Sequence, residues 1–426
     1  MEPGWLDEMI DGRFKGLSPA VDARRLGELA QERASLFGGA FTPPVMVLKR
    51  SALDHNVETM ARYCRDNAVD LAPHGKTTMA PQIFERQLAA GAWAITAATA
   101  GHLAVYRAAG IRRILLANEL VDTGAIDWIL AELAADPGFD FLCYVDSVEG
   151  VRLLADGLAK RPIGRPLDVL VEIGYEGGRT GCRTIEQARE VARAVAGVDG
   201  LRAVGLSGFE GLIGRDLSAE TIGAVDAFLE SIRSAAERLC EEGLLTDLGG
   251  GVILTAGGSA FFDRVVAALA KPIGGAAVRC VLRSGCYVSH DSGYYDRVSP
   301  FSRPGADPRY RLLPALEAWG EVLSVPEDGL AIVSLGRRDV PFDRDLPIPQ
   351  LLKRRGSAER EDATQLTFRS LNDQHGFLGV PSGLALLPGD WLSFGISHPC
   401  TAFDKWRLLP EVDDDYRVVG FIRTFF

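Results

Sequence analysis

No stretch of this 426-residue chain strings together about 18 apolar side chains, so no membrane-spanning helix is expected. The N-terminal run MEPGWLDEMIDGRFKG lacks a basic segment followed by an apolar one, and no secretory leader is expected there. Basic clusters are missing as well. Lys and Arg number 46 against 57 Asp and Glu, a balance of −11, and no positive stripe is available for nucleic-acid phosphates. The seven cysteines (Cys64, Cys143, Cys182, Cys240, Cys280, Cys286, Cys400) are odd in number and form no Cys-x-x-Cys pair. That usage fits reduced thiols in a cytoplasmic protein, most of them packed as small hydrophobes. No Gly-x-Ser-x-Gly elbow supports a hydrolase triad.

What is present is an ordinary globular composition, 47% apolar and 24% charged. Between Val69 and Arg283 one unit recurs: a short apolar run, a polar turn, then an amphipathic stretch rich in Ala, Leu, Glu and Arg. The runs begin at Val69, Trp93, Ile114, Phe141, Val169, Ala203, Val252 and Val278. Runs without polar alternation suit parallel strands covered on both faces, and eight of them predict a (β/α)8 TIM barrel. An open doubly wound sheet is the competitor. Ser51 to Glu58 reads as a helix N-capped at its start, and Pro44 to Leu48 as a strand. Beyond Ser284 short β-like runs predict a second, mostly antiparallel β domain, completed by the strand near Val45. The division is a barrel over 50–285 and a β domain from 1–49 plus 286–426. Residues 340–364, charged and proline-containing, read as a long surface loop.

Active sites of this fold sit at the carboxyl ends of the strands. Lys76, in Pro73-His74-Gly75-Lys76-Thr77, stands just past the first strand. Thr255-Ala256-Gly257-Gly258-Ser259 follows the seventh and Arg283-Ser284-Gly285-Cys286-Tyr287 the eighth, where phosphate-binding barrels build their anion grip. An amine facing a phosphate grip across one barrel mouth is what pyridoxal 5′-phosphate requires.

These segments, with Glu172 to Gly181 (EIGYEGGRTG) and His398-Pro399-Cys400, resemble the D-serine dehydratase and D-threonine aldolase family of alanine-racemase-like, fold type III pyridoxal phosphate enzymes. The similarity runs from about Pro44 to the C-terminus. It implies that Lys76 is the Schiff-base lysine, that His74 and Arg179 stand near the cofactor, and that Gly257, Gly258, Ser259, Cys286 and Tyr287 surround its phosphate. His398 and Cys400, at i and i+2 of a segment read as extended, point the same way, and nitrogen plus sulfur favours Zn²⁺. In the family the matching pair is the metal site, and Cys rather than an acidic residue at the second position implies dehydration. His375, in Asn372-Asp373-Gln374-His375-Gly376, resembles an acidic-acidic-His-Gly stretch near the metal, an acid/base candidate or a structural histidine. His55, His102 and His290 read as structural.

The chain departs from the family at Lys76-Thr77-Thr78-Met79 and at Phe209-Glu210-Gly211-Leu212, which leaves the partner of the pyridine nitrogen and the substrate specificity open. The implied reaction is β-elimination of water from a small D-3-hydroxy amino acid, D-serine in the simplest case, giving a 2-oxo acid and ammonia. The alternatives are D-threonine aldolase chemistry and a non-catalytic pyridoxal phosphate carrier. Relatives with this architecture are homodimers, so the resemblance also implies a site between one barrel and the β domain of a second copy.

Overall fold

A computed structural model describes residues 7–214 and 216–426; the first six residues, part of the segment read as lacking a leader, and Arg215 lie outside that description. All eight anticipated barrel strands are present and parallel. In chain order they are Asp70–Leu71, Ile95–Ala97, Arg113–Glu119, Asp140–Val145, Leu167–Ile173, Leu201–Gly208, Val252–Ala256 and Val278–Leu282. The first pairs with the eighth, and a bridge between His74 and Thr96 joins the first to the second, so the sheet closes on itself. The open-sheet alternative is excluded.

Period-two side-chain direction explains why the strands read as unbroken apolar runs. Leu115, Leu142, Leu170, Val204, Ile253 and Val281 fill the barrel interior. Their strand neighbours Ile114, Leu116, Val169 and Val171 turn outward onto the helices. Gly205 has a steric reason: a Cβ there would lie 1.9 Å from the Ile253 carbonyl oxygen in the adjoining strand.

The second unit is a ten-stranded sheet. Its long strand Leu316–Glu327 pairs antiparallel with Trp391–Gly395, Leu330–Val333 and Val45–Lys49. Val45–Lys49 in turn runs parallel to Leu408–Val412, so the early strand does complete the late sheet. The N-terminal segment packs on this sheet through Ile10, Leu26, Leu36 and Phe41, around Trp319 and Tyr416.

Two expectations fail. Residues 340–364 are not one surface loop, because Ile348–Lys353 is a strand beside Trp391–Gly395 and carries Glu361–Asp362 on its other edge. Pro349 and the surrounding charges hid it from a pattern reading. Ser51 is not a helix cap either. The helix is Arg50–Asp66, with Lys49 at the cap position, and the Ser51 hydroxyl donates instead to Asp414 at 2.7 Å. Among the described residues no helix is long and apolar enough to cross a membrane.

Candidate functional site at the barrel mouth

Lys76 lies in a single 3₁₀ turn, Gly75–Thr77, directly beyond the first barrel strand. The turn is pressed onto the barrel so closely that a Cβ on Gly75 would come within 2.4 Å of the Tyr106 hydroxyl. Lys76 therefore projects the other way, into a cavity of about 400 Å³ at the carboxyl ends of the strands. His74, Arg179, Gly258, Ser259, Cys286, His398 and Cys400 line the same cavity. The amine early in the chain and the imidazole–thiol pair near its end thus meet within one copy. The expectation that a second copy must supply the β-domain residues does not hold for His398 and Cys400.

The cavity is cationic. His74 is held well below its usual pKa, first by withdrawal from water and then by the charges of Lys76, Arg283 and Arg179, so it is neutral at physiological pH. Its Nδ1 is buried without a hydrogen-bond partner. Arg283 is 2% exposed and spans the barrel interior, donating to the Thr255 hydroxyl at 2.8 Å and to the Gly208 carbonyl at 2.6 Å. Its Nε is likewise buried and unpaired. Arg179 lies 3.7 Å from Glu172 and covers the Phe209 ring.

The glycine turn after the seventh strand is organised by a carboxylate that the sequence reading noted only as a departure. Glu210 is fully buried and accepts from the N–H groups of Gly257 at 3.1 Å and Gly258 at 2.6 Å. Those two donors are therefore engaged within the protein. Among the described residues the N–H groups of Ser259, Gly285 and Cys286 have no protein acceptor and form the free part of the grip, while the Ser259 hydroxyl is engaged by the Cys286 side chain. The Tyr287 side chain is turned away from the cavity, and its hydroxyl accepts from Gln87 at 3.0 Å.

His398 and Cys400 do not sit on an extended segment. His398 has φ +71° and Cys400 opens the short helix Cys400–Phe403, yet both side chains reach the cavity. Asp343, from the segment read as a loop, approaches His398 Nδ1 at 2.5 Å and accepts from the Thr401 hydroxyl at 2.8 Å. This leaves Nε2 as the outward nitrogen. Burial opposes the charged imidazole, but Cys400 and Asp343 outweigh it and raise the His398 pKa. Hydrogen bonding with Cys286 first, then with His398 and Thr77, outweighs burial and lowers the Cys400 thiol well below its ordinary value. Cys286 Sγ stands 3.4 Å from Cys400 Sγ. Tyr295, which also lines the cavity, was not singled out by the sequence.

His375 is not brought to this site. It is exposed in the turn between strands Thr367–Leu371 and Gly376–Gly379. His55, His102 and His290 have structural partners: Arg311, Ala98 and Asp296, respectively. One further cluster was missed. Glu119, Asp146 and Glu172 place carboxylate oxygens within 4.8 Å of one another at the ends of strands three, four and five. Glu172 is tied to Arg179 and Asp146 to the Gly181 N–H at 3.0 Å, so the cluster braces the 174–182 loop that carries Arg179.

Comparison with known proteins agrees with this architecture. Residues 48–247 match the alanine racemase N-terminal domain, and residues 315–412 match the putative serine dehydratase domain. The chain is 25% identical to 3-hydroxy-D-aspartate aldolase of Paracoccus denitrificans (strain Pd 1222) across 81% of its length and 84% of the relative's. Its fold is that of D-threonine aldolase from Filomicrobium marinum, with a TM-score of 0.74, 24% identity, and coverage of 90% of this chain and 95% of that one. It is also that of D-threo-3-hydroxyaspartate dehydratase from Delftia sp. HT23, with a TM-score of 0.70, 22% identity, and coverage of 90% and 97%. The family resemblance read from the sequence is borne out, as is the alanine-racemase-like fold, which implies pyridoxal phosphate as cofactor.

Proposed function

We propose that this chain, which joins an alanine racemase N-terminal domain to a putative serine dehydratase domain, is a pyridoxal phosphate- and metal-dependent lyase that removes water from a small D-3-hydroxy amino acid, D-serine in the simplest case. The products are a 2-oxo acid and ammonia. The observation that carries the reading is the meeting of Lys76 with His398 and Cys400 in one cavity of about 400 Å³. That volume suits a cofactor and a small substrate, not a polymer.

The residues present fit both groups. Lys76 would hold pyridoxal phosphate by its aldehyde. Ser259 and the N–H groups of Gly285 and Cys286 would hold the phosphate. The unpaired His74 Nδ1 and Arg283 Nε are polar atoms that an apolar cavity would not leave bare. The donor set of His398 and Cys400, with Asp343 fixing the imidazole, fits Zn²⁺. When bound, pyridoxal phosphate supplies an electron sink next to the substrate Cα and zinc a Lewis acid for the β-oxygen.

The protein's own groups do the rest. Lys76 lines the cavity and has no ion pair or hydrogen-bond acceptor among the described residues, so no protein group restrains its amine, which, once released from the cofactor's aldehyde, would take the substrate's α-proton on the face it occupies. The cationic walls attract the substrate carboxylate as well as the phosphate. Arg179, braced by Glu172, orients whatever lies against the cavity wall.

Incubating the purified enzyme with D-serine is expected to release pyruvate and ammonia, and Lys76→Ala is expected to abolish this. Chelation and Cys400→Ala should each lower the rate by at least two orders of magnitude. The aldolase reading is favoured by the names of the relatives, and D-threonine separates the two. 2-Oxobutyrate with ammonia supports dehydration; glycine with acetaldehyde replaces it by retro-aldol cleavage. A cofactor-loaded protein inert toward every D-3-hydroxy amino acid would make it a carrier.

A further inference from the structure

We propose that Cys286 is a third protein ligand to the metal at His398 and Cys400, completing a Cys₂His site with one position left for substrate oxygen. The inference rests on the metal reading above and deepens it. Catalytic zinc sites generally present three protein ligands plus one exchangeable position, so two ligands alone fall one short. Asp343 is not free to serve, since it is held by His398 and Thr401. Thr77, which the Cys400 thiol approaches at 3.5 Å, offers only a neutral hydroxyl.

Cys286 is the soft donor already in place. Its sulfur is 3.4 Å from that of Cys400. Two thiolates on one tetrahedral zinc, with bonds of about 2.3 Å, sit roughly 3.8 Å apart, so a side-chain adjustment of about 0.4 Å suffices. The sulfurs are far outside the roughly 2.05 Å of a disulfide, and both cysteines are free thiols.

Backbone construction explains the approach. Gly285 brings the turn after the eighth strand onto the Lys76 turn, where a Cβ would lie 2.5 Å from the Thr77 hydroxyl. Any side chain at 285 would also meet the His74 carbonyl oxygen at 2.8 Å and force the two turns apart. The N–H of Cys286 remains available to a phosphate while its side chain points at the metal pair, so the two roles do not compete.

Imidazole is the ligand that must be drawn in. Among the described residues only Glu119, Asp146 and Glu172 already have three ligand atoms within 4.8 Å of one another. Tyr295 stands against Cys286, with its ring centroid 6.3 Å from that of His398, so it packs between the ligands that metal would gather. Loading releases the protons of both thiols where they are still bound and leaves no redox change.

The test is zinc K-edge X-ray absorption on the cofactor-loaded full chain after metal stripping and zinc reloading, together with chelator-competition affinities. Two sulfur scatterers are expected in the unaltered protein and one in Cys286→Ser. Zinc affinity in that variant should be weaker by more than about 100-fold, beyond the roughly 10–100-fold that loss of a merely supporting residue costs. One sulfur in the unaltered protein, with the zinc lost on Cys400→Ser and retained on Cys286→Ser, would overturn the third ligand and leave the two-residue metal site standing. Absence of bound zinc altogether would remove both. The sulfur count of the unaltered protein decides the matter even if a variant does not fold.

Discussion

At the scale of single residues, the groups legible in the sequence are those whose neighbours in the chain report their place. Lys76 follows an apolar run and precedes a helix, so its position at a strand end could be read directly. His398 and Cys400 carry a spacing that suggests shared ligation, although the local backbone is a turn and not the extended segment assumed. Asp343 has no such signature, because it lies 55 residues before His398 and meets it only through the sheet. Its oxygen on Nδ1 fixes which nitrogen faces the cavity. Replacing it by Asn keeps the shape and removes the charge. Zinc binding in Asp343→Asn is therefore expected to weaken by about 10–100-fold. Chelator competition measures this, and an unchanged affinity would show that the imidazole is oriented by Thr401 and packing alone.

Elements decide which of these residues can meet. A parallel barrel gathers every strand end at one mouth, so the strand reading already implied that the motifs after strands one, seven and eight converge. The same register produces a group that no motif announces. Strand three ends in Glu119 and strand five holds Glu172, close enough for the two carboxyl groups to interact. Burial first, then Glu172 and Asp146, push the Glu119 pKa up from 4.5 to about 8. Between those values the folded chain keeps a proton that the unfolded chain has lost, so stability falls as pH rises through this window. The slope is at most about 1.4 kcal/mol per pH unit and smaller in practice, since Glu119 is only partly buried. Glu119→Gln holds a neutral side chain at every pH. Its melting temperature is expected to exceed that of the unaltered protein at pH 8 and to converge with it near pH 4.5. Melting curves that stay parallel across the range would mean that Glu119 titrates normally.

For the molecule as a whole, function requires that barrel and sheet hold a fixed relation, because Lys76 belongs to one and Cys400 to the other. Apolar contact supplies part of this: a single core cluster runs from Leu71 and Ile83 in the barrel to Phe394 and Leu409 in the sheet. Sequence patterns predicted both units but not their joint, since the joint is made by residues hundreds of positions apart. Glu411 is its polar element. It lies on strand Leu408–Val412, is 2% exposed on its side chain, and accepts from Arg50 at 2.6 Å and from Arg86 at 2.5 and 2.9 Å. Arg50 opens the helix before strand one, and Arg86 lies on Pro81–Ala89, the helix after the Lys76 turn. Burial alone would raise the Glu411 pKa, but the two guanidinium groups reverse this and lower it below 4.5. The pairing thus stabilises the fold fully above the ordinary carboxylate range and is lost as pH falls through the lowered value. Glu411→Gln leaves two cations facing a neutral amide. Breaking a buried pair costs about 3–5 kcal/mol, and the part-exposed arginines place this one at the lower end. Denaturant unfolding at pH 7 is expected to show that loss, with the deficit shrinking in acid once Glu411 accepts a proton, below the ordinary carboxylate range. Zinc affinity should fall with stability in the same variant, because His398 and Cys400 ride on the sheet that Glu411 fastens. A stability deficit independent of pH would assign the effect to packing, and no deficit at all would show that the apolar contact alone holds the two units in register.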